Sequence, residues 1–278
     1  MKALITGASS GLGRDIARAL GDMGCELILT ARREERLVEL KERLSVPTQV
    51  IEADLASARE CFSLYDRVKQ EQIDILVNNA GFGVFGAFDQ TDLTQELRLI
   101  DTNIRAVHIL TKLFLKDFIS RNSGYILNVS SATAFTPGPM MAAYYASKAY
   151  ILHLTLAIWK ELQKTGSLVS ISTLCPGPVK TEFEEQAGVT FTPPHYASGQ
   201  IAQIAVKQML ARKMLIVPGA SMKLAKLSAR LLPERAKLAV AYRLQHRRVP
   251  ASGAISPPGQ PGLQSGLVGR HSPVPPVS

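Results

Sequence analysis

Thr6-Gly7-Ala8-Ser9-Ser10-Gly11-Leu12-Gly13 decides how the rest of this chain is read. The stretch lies between a short apolar run, Ala3-Leu4-Ile5, and an amphipathic pattern over residues 11–23. Glycines between a strand and a helix permit a tight bend. They also let another group, such as a pyrophosphate, come close to the helix N-terminus. The spacing is Gly-x-x-x-Gly-x-Gly, not the Gly-x-Gly-x-x-Gly of the commoner dinucleotide fingerprint. Taken alone, the turn is equally a glycine-rich bend that holds no ligand, so the surrounding chain has to decide.

Outward from this turn, short apolar runs alternate with helical patterns. Residues 26–30 precede a charged helical stretch at 34–44, and residues 48–51 precede another at 57–70. Strands are expected at 73–77, 125–129 and 168–174, with helices at 94–120 and 141–164 between them. A helix at 198–211 and a strand at 214–217 complete the series. Such alternation predicts a parallel sheet with right-handed crossovers and helices on both faces. The expected fold is α/β: one doubly wound Rossmann-type sheet of about seven strands over residues 1–219. A basic helical extension at 220–248 and a disordered Pro/Gly/Ser-rich tail at 249–278 should follow.

Composition agrees with a packed domain, since 46 % of the 278 residues are apolar and 20 % charged. Cys25, Cys61 and Cys175 lie far apart with no Cys-x-x-Cys, so neither a disulfide framework nor a zinc set is expected. The five histidines are scattered, and no metal site is predicted. The apolar run at the start is far too short for a signal peptide. No stretch approaches the ~18 uninterrupted apolar residues of a spanning helix. A cytoplasmic protein is the expectation. The net charge of +9 arises entirely after residue 212. Residues 1–212 carry 22 basic and 22 acidic side chains, whereas residues 213–278 carry 10 basic ones and a single acid, Glu234.

The carboxyl ends of the expected strands hold the candidate ligand groups, as open α/β sheets require. The second strand ends in Thr30-Ala31-Arg32-Arg33. An acid there would bond a ribose 2′-hydroxyl and repel a 2′-phosphate, but Ala31 takes that place and Arg32 can meet a phosphate. NADP is therefore expected in preference to NAD. Arg33 and Arg36 read as a solvated helix start, a reading that also remains open for Arg32. Asp54-Leu55 follows the third strand; Asp54 either lines a cofactor site or caps the next helix. Asn78-Asn79-Ala80-Gly81 follows the fourth, where the amides either meet a ligand or satisfy local backbone.

Tyr144 and Lys148 form Tyr-x-x-x-Lys within the expected helix 141–164 and share one helical face. A phenol ordinarily keeps its proton to about pH 10, and a nearby ammonium favours the phenolate. The pair is thus suited to exchanging a proton with a substrate.

Together these motifs resemble the short-chain dehydrogenase/reductase family, in its classical branch. The resemblance rests on Thr-Gly-x-x-x-Gly-x-Gly (6–13), Asn-Asn-Ala-Gly (78–81), the serine pair 130–131, Tyr-x-x-x-Lys (144–148) and Pro-Gly-x-Val-x-Thr (176–181). It implies Tyr144 as proton donor and acceptor, with Lys148 lowering its pKa and holding the nicotinamide ribose. Ser131 would hold the substrate carbonyl oxygen in preference to Ser130, and Asn103 would support a proton-relay water. Cofactor contacts are implied for Gly7, Ser9, Ser10, Gly11, Leu12, Gly13, Arg32, Asp54, Leu55, Asn79, Ala80 and Gly81. Pro176, Gly177, Val179 and Thr181 would close over the nicotinamide. The resemblance also implies a homodimer or homotetramer through the long helices at 94–120 and 141–164.

Residues 182–196 fall where that family builds its substrate lid, and carry Phe183, Phe191, Pro193, Pro194, His195 and Tyr196. With Phe82, Val84, Phe85, Phe88 and Phe135 they suggest an apolar substrate. Leu224, Leu227 and Leu231 recur at helical spacing beside Lys223, Lys226 and Arg230. A second helical stretch after Pro233 carries Arg235, Leu238, Tyr242 and Arg243. Such helices either pack on the core with a solvated basic face, which is the expectation, or lie on an anionic membrane surface. Nucleic acid is not an expected partner, because no recognised module or aromatic platform accompanies the charge. The resulting expectation is an NADP-dependent carbonyl/alcohol oxidoreductase acting on a moderately apolar small molecule. The alternative is a non-catalytic NADP-sensing or membrane-recruited interaction protein on the same fold.

Overall fold

The structure, a computed structural model, describes residues 1–179, 181–183, 196–219 and 233–246. Seven parallel strands make one sheet in the order β3-β2-β1-β4-β5-β6-β7. They are β1 (Lys2–Thr6), β2 (Glu26–Ala31), β3 (Thr48–Glu52), β4 (Ile75–Asn78), β5 (Tyr125–Val129), β6 (Ser170–Leu174) and β7 (Leu215–Ile216). The order runs outward from β1 in both directions, so the chain reverses between β3 and β4. The carboxyl ends of β1 and β4 then border one crevice, the switch point where doubly wound sheets hold ligands.

Helices α1 (Gly11–Gly21), α2 (Glu34–Glu42), α3 (Ala58–Val68), α4 (Leu93–Ile100), α5 (Val107–Ser120), α6 (Ala142–Lys164), α7 (Ser198–Leu210) and α8 (Glu234–His246) complete the fold. The central strands are buried on both faces, as their unbroken apolar runs require. On one face Ile16, Ala17 and Leu20 of α1 pack with Ile201, Ala205 and Met209 of α7 over Ile5, Leu29 and Val77. On the other, Leu64 and Val68 of α3 meet Leu110, Phe114 and Phe118 of α5 over Leu4, Leu76 and Ile126. The two layers form separate apolar cores.

Between β4, β5 and the helices behind them runs a buried polar chain. The Asn78 carboxamide donates to Thr111 Oγ1 (3.0 Å) and Asn128 Oδ1 (2.8 Å), and Asn128 Nδ2 donates to Thr155 Oγ1 (3.0 Å). Apart from the Asn78 Oδ1, which is buried without a partner, these side chains pair with one another and tie α5 and α6 to the strands.

The expected helix at 94–120 is not one α-helix. A π-helical turn, Asp101–Ala106, joins α4 to α5 and contains Asn103. The interrupted backbone ladder marks this turn as a place where packing or chemistry overrides the regular repeat. A 3₁₀ turn (Ala132–Phe135) after β5 was not evident from the sequence. The lid stretch 184–195, the leucine stretch 224–231 and the Pro-rich tail lie outside the described residues. The helix expected after Pro233 is α8, whose Leu238 shares an apolar groove with Phe135, Pro137, Pro139, Ala142 and Ala146. Among the described residues no helix is long and apolar enough to cross a membrane.

Candidate active site

A cleft of about 450 Å³ opens at the carboxyl ends of β1, β2, β4 and β5. Its floor at one end is the glycine turn. Gly7 has φ +66°, and a Cβ there would stand 2.8 Å from Ala80 Cα. Gly13 is tighter still: a Cβ would lie 2.3 Å from both Gly7 O and Asn79 Nδ2. Thr6 Oγ1 accepts from the Asn79 and Ala80 N–H groups (2.9 and 3.0 Å), and Asn79 Nδ2 donates to Thr6 O and Gly7 O (both 3.1 Å). Asn79 and Ala80 line the cleft, but the side chain of Asn79 is spent on holding the turn to the end of β4. Ser10 precedes α1 in extended geometry and does not cap it with its side chain. The first-turn N–H groups of α1 have no intrahelical partner, and Ser9, Ser10, Gly11 and Leu12 face the cleft. That is an anion cradle, and a pyrophosphate fits its chemistry.

At the other end lie the groups expected to do proton chemistry. Ser131 opens the 3₁₀ turn and accepts from the Thr133 N–H at 3.2 Å. Ser130 instead is buried and donates to the Lys148 carbonyl at 2.7 Å, clamping α6 to β5. Both serines border the cleft, and the Ser130 hydroxyl is already spent on backbone. Burial pushes the Tyr144 phenol well above its ordinary value, while a hydrogen bond with Ser131 pulls in the other direction.

Burial also lowers Lys148, to about 8. Its Nζ donates to the Val129 carbonyl (3.0 Å) and sits 5.7 Å from the Tyr144 ring centroid. Burial thus pushes both the phenol and the ammonium toward their neutral forms. Asn103 is almost wholly buried; its Nδ2 donates to the Phe82 carbonyl (2.9 Å) and to Ser147 Oγ (3.1 Å).

The mouth of the cleft at the end of β2 corrects the reading of the arginines. Arg32 lines the cleft but is exposed. Arg33, expected on a solvated helix start, turns back so that its Nη2 reaches Ser9 Oγ (3.3 Å), Ser10 Oγ (3.2 Å) and Glu182 Oε2 (2.9 Å). Arg36 pairs with the other oxygen of Glu182. Neither the role of Arg33 nor that of Glu182 had a local signal. The two are 149 residues apart and only folding brings them together. Asp54 and Leu55 line the cleft as expected, but the Asp54 carboxylate accepts from Arg98 Nη2 (2.8 Å) and from the Ala56 N–H (3.1 Å). The cap of α3 is Ser57, which accepts from the Glu60 N–H.

Pro176, Gly177, Val179 and Thr181 roof the cleft. The Pro176 carbonyl accepts from the Ala132 N–H (2.8 Å), tying roof to floor. An apolar wall beside Tyr144 is built from Phe82, Val84, Phe85, Leu99, Met141, Tyr145 and Phe183. Phe183 lies over Tyr144 with ring centroids 5.1 Å apart. Phe135 also lines the cleft, whereas Phe88, expected there, is 69 % exposed on the outside. Phe191, Pro193, Pro194 and His195 lie outside the described residues.

The model of the short chain dehydrogenase family matches residues 1–190, and the chain belongs to that family. Sulfoacetaldehyde reductase 2 of Chromohalobacter salexigens is 39 % identical over 186 residues, covering 65 % of this chain and 73 % of that protein. The human inactive hydroxysteroid dehydrogenase-like protein 1 is 32 % identical over 190 residues, covering 65 % and 56 %. Among solved structures, a short-chain dehydrogenase from Sphingobium yanoikuyae in complex with NADPH superposes with a TM-score of 0.75. It is 28 % identical, with 83 % of this chain and 93 % of that one covered.

Proposed function

We propose that this short-chain dehydrogenase is an NADP-dependent oxidoreductase that interconverts a carbonyl and an alcohol on a moderately apolar small molecule. One observation carries the reading. Ser131 and Tyr144 stand together at one end of a cleft whose other end is an open helix N-terminus flanked by arginine. A cleft with an anion cradle at one end and a protonated phenol at the other fits a dinucleotide laid along it.

The nicotinamide, when bound, supplies or takes the hydride at the carbonyl carbon. The protein's share is the oxygen. Tyr144, kept neutral by burial, donates its proton to the oxygen in reduction and takes it back in oxidation. Ser131 donates a second hydrogen bond to the charge developing there. Lys148 stands behind the tyrosine, charged below about pH 8, and favours the phenolate once the proton has left. Asn103 holds Phe82 and Ser147 in place around them. The wall of Met141, Leu99 and Phe183 suits an apolar substituent on the substrate and excludes water from the site.

The reading extends to cofactor and partners. NADPH is preferred, and reduction is the expected direction. The protein forms a homodimer or homotetramer through α4, α5 and α6. Leu93, Leu97 and Ile100, spaced along one face of α4, are exposed in the single chain and supply an apolar surface for it.

The test is oxidation of NADPH against a mixed panel of ketones and aldehydes, with NADH and a Tyr144→Phe variant run beside it. Turnover with NADPH that the substitution abolishes supports the reading. Tight cofactor binding with no turnover on any member of a broad panel favours the non-catalytic alternative. Equal use of NADH removes the NADP preference.

A further inference from the structure

The arginine pair at the mouth of the cleft is already engaged by a group of the chain itself. Arg33 takes one oxygen of the Glu182 carboxylate and Arg36 the other. Each arginine gives one nitrogen to one oxygen of the same anion, a charge-assisted arrangement that a phosphate can also accept. The same Arg33 nitrogen reaches the hydroxyls of Ser9 and Ser10 on the glycine turn. Burial opposes ionisation of Glu182, but the hydrogen bonds and charge of Arg33 and Arg36 outweigh it and hold the carboxyl below its ordinary value.

Glu182 is flanked by residues that close on the cleft. The Thr181 side chain stands against the glycine turn, 3.0 Å from where a Cβ on Gly11 would be. Phe183 covers Tyr144. The ion pair therefore fastens a three-residue strap, Thr181-Glu182-Phe183, across the cleft from the arginines to the tyrosine.

We propose that Glu182 is an internal competitor for the 2′-phosphate of NADP, holding the strap to Arg33 and Arg36 until the phosphate displaces it. The proposal rests on the NADP reading above. A phosphate monoester brings a charge of about −1.5 to −2 and three acceptor oxygens to the arginines, against the single charge of a carboxylate. The two anions repel at contact distance, so one must leave. Loading the phosphorylated cofactor is thereby coupled to release of the strap over Tyr144, and the returning carboxylate helps expel the cofactor. NAD, which lacks the phosphate, leaves Glu182 where it is.

Calorimetric binding of adenosine 2′,5′-bisphosphate and of 5′-AMP to the full chain tests this, in the wild type, Glu182→Gln and Arg33→Ala. Glu182→Gln should bind the bisphosphate about tenfold more tightly, the size expected for removing one partly exposed competing ion pair, with 5′-AMP unchanged. In the wild type, hydrogen exchange of the peptide carrying Glu182 should quicken on adding the bisphosphate but not 5′-AMP. A wild-type preference for the bisphosphate that Arg33→Ala removes but Glu182→Gln leaves unaltered or weakens overturns the competitor role, while the NADP reading stands. No preference in either the wild type or Glu182→Gln overturns both.

Discussion

The Asn103 carboxamide is bonded in both directions to the backbone of Phe82: Oδ1 accepts from its N–H at 3.1 Å and Nδ2 donates to its carbonyl at 2.9 Å. This pins the loop after β4, with its apolar wall, to the π-helical turn between α4 and α5. Asn103→Leu leaves both Phe82 groups unpaired in a partly buried place, at up to about 1–3 kcal/mol for each. The melting temperature should fall by several degrees and the KM for an apolar carbonyl should rise. Asn103→Asp, which keeps the acceptor, should lose less. Thermal denaturation beside steady-state kinetics checks both variants.

Tyr144→Phe keeps the ring that packs against Phe183 and removes only the hydroxyl. Turnover should drop by about 10²–10⁴-fold or more, the contribution of a placed general acid. Dissociation constants for NADP and NADPH, read by fluorescence titration, should stay within about twofold of wild type, a 0.4 kcal/mol change at most.

Lys148 has its folded-state pKa lowered to about 8 from an ordinary 10.5. The unfolded chain therefore binds more protons than the folded one between those values, so the lysine's penalty on stability is full below pH 8 and fades as pH rises to 10.5. Lys148→Met removes the buried ammonium and keeps an unbranched side chain only one atom shorter. Its melting temperature should exceed the wild-type value at pH 7, and the gap should close between pH 8 and 10.5. Activity should be lost throughout, which a thermal-shift series with parallel assays would register. A wild type more stable than the variant at pH 7 would contradict this account.

Gly13→Ala puts a methyl group 2.3 Å from the Gly7 carbonyl oxygen and the Asn79 amide. Backbone on one side and a twice-bonded carboxamide on the other leave it no room. The cost should reach or exceed the 1–3 kcal/mol usual for overpacking, and dinucleotide binding should weaken with it because the same turn is the cradle. Chemical denaturation and cofactor titration together report the two effects.

Leu97→Asp places a charge on the exposed apolar face of α4, beside Leu93 and Ile100. If that face joins copies of the chain, light scattering should move from a dimer or tetramer toward the monomer mass. The melting temperature of the isolated chain should be nearly unchanged, since Leu97 is 51 % exposed there. An unaltered mass would locate the interface elsewhere.

Much of this protein is legible along the chain because the relevant physics is local. The glycine turn announces itself through residues within one bend, and Tyr144 and Lys148 through the pitch of one helix. The alternation of apolar runs and helical patterns yielded the doubly wound sheet and its strands to within about two residues. The π-helical turn was not legible. The residues 101–106 carry no helix breaker, and the interruption arises where Asn103 is drawn to Phe82 and Ser147 from outside the helix.

Ser131 was preferred to Ser130 on spacing alone; that the Ser130 hydroxyl is consumed by the Lys148 carbonyl on another element is visible only in the folded chain. The motif places an ammonium near Tyr144 but says nothing of how deeply both groups are buried. Phe88 was read toward the cleft from its neighbours Phe82 and Phe85, yet the turn between them sends it outward. Arg33 was read as solvated because sequence displays its acidic neighbours Glu34 and Glu35 and not Glu182. Local patterns of shape and periodicity, then, determined the fold, the glycine turn and the shared helical face of Tyr144 and Lys148. Only the folded chain decided which charges meet and which groups lose water, because both depend on distances between residues on different elements, from 18 to 149 positions apart along the backbone.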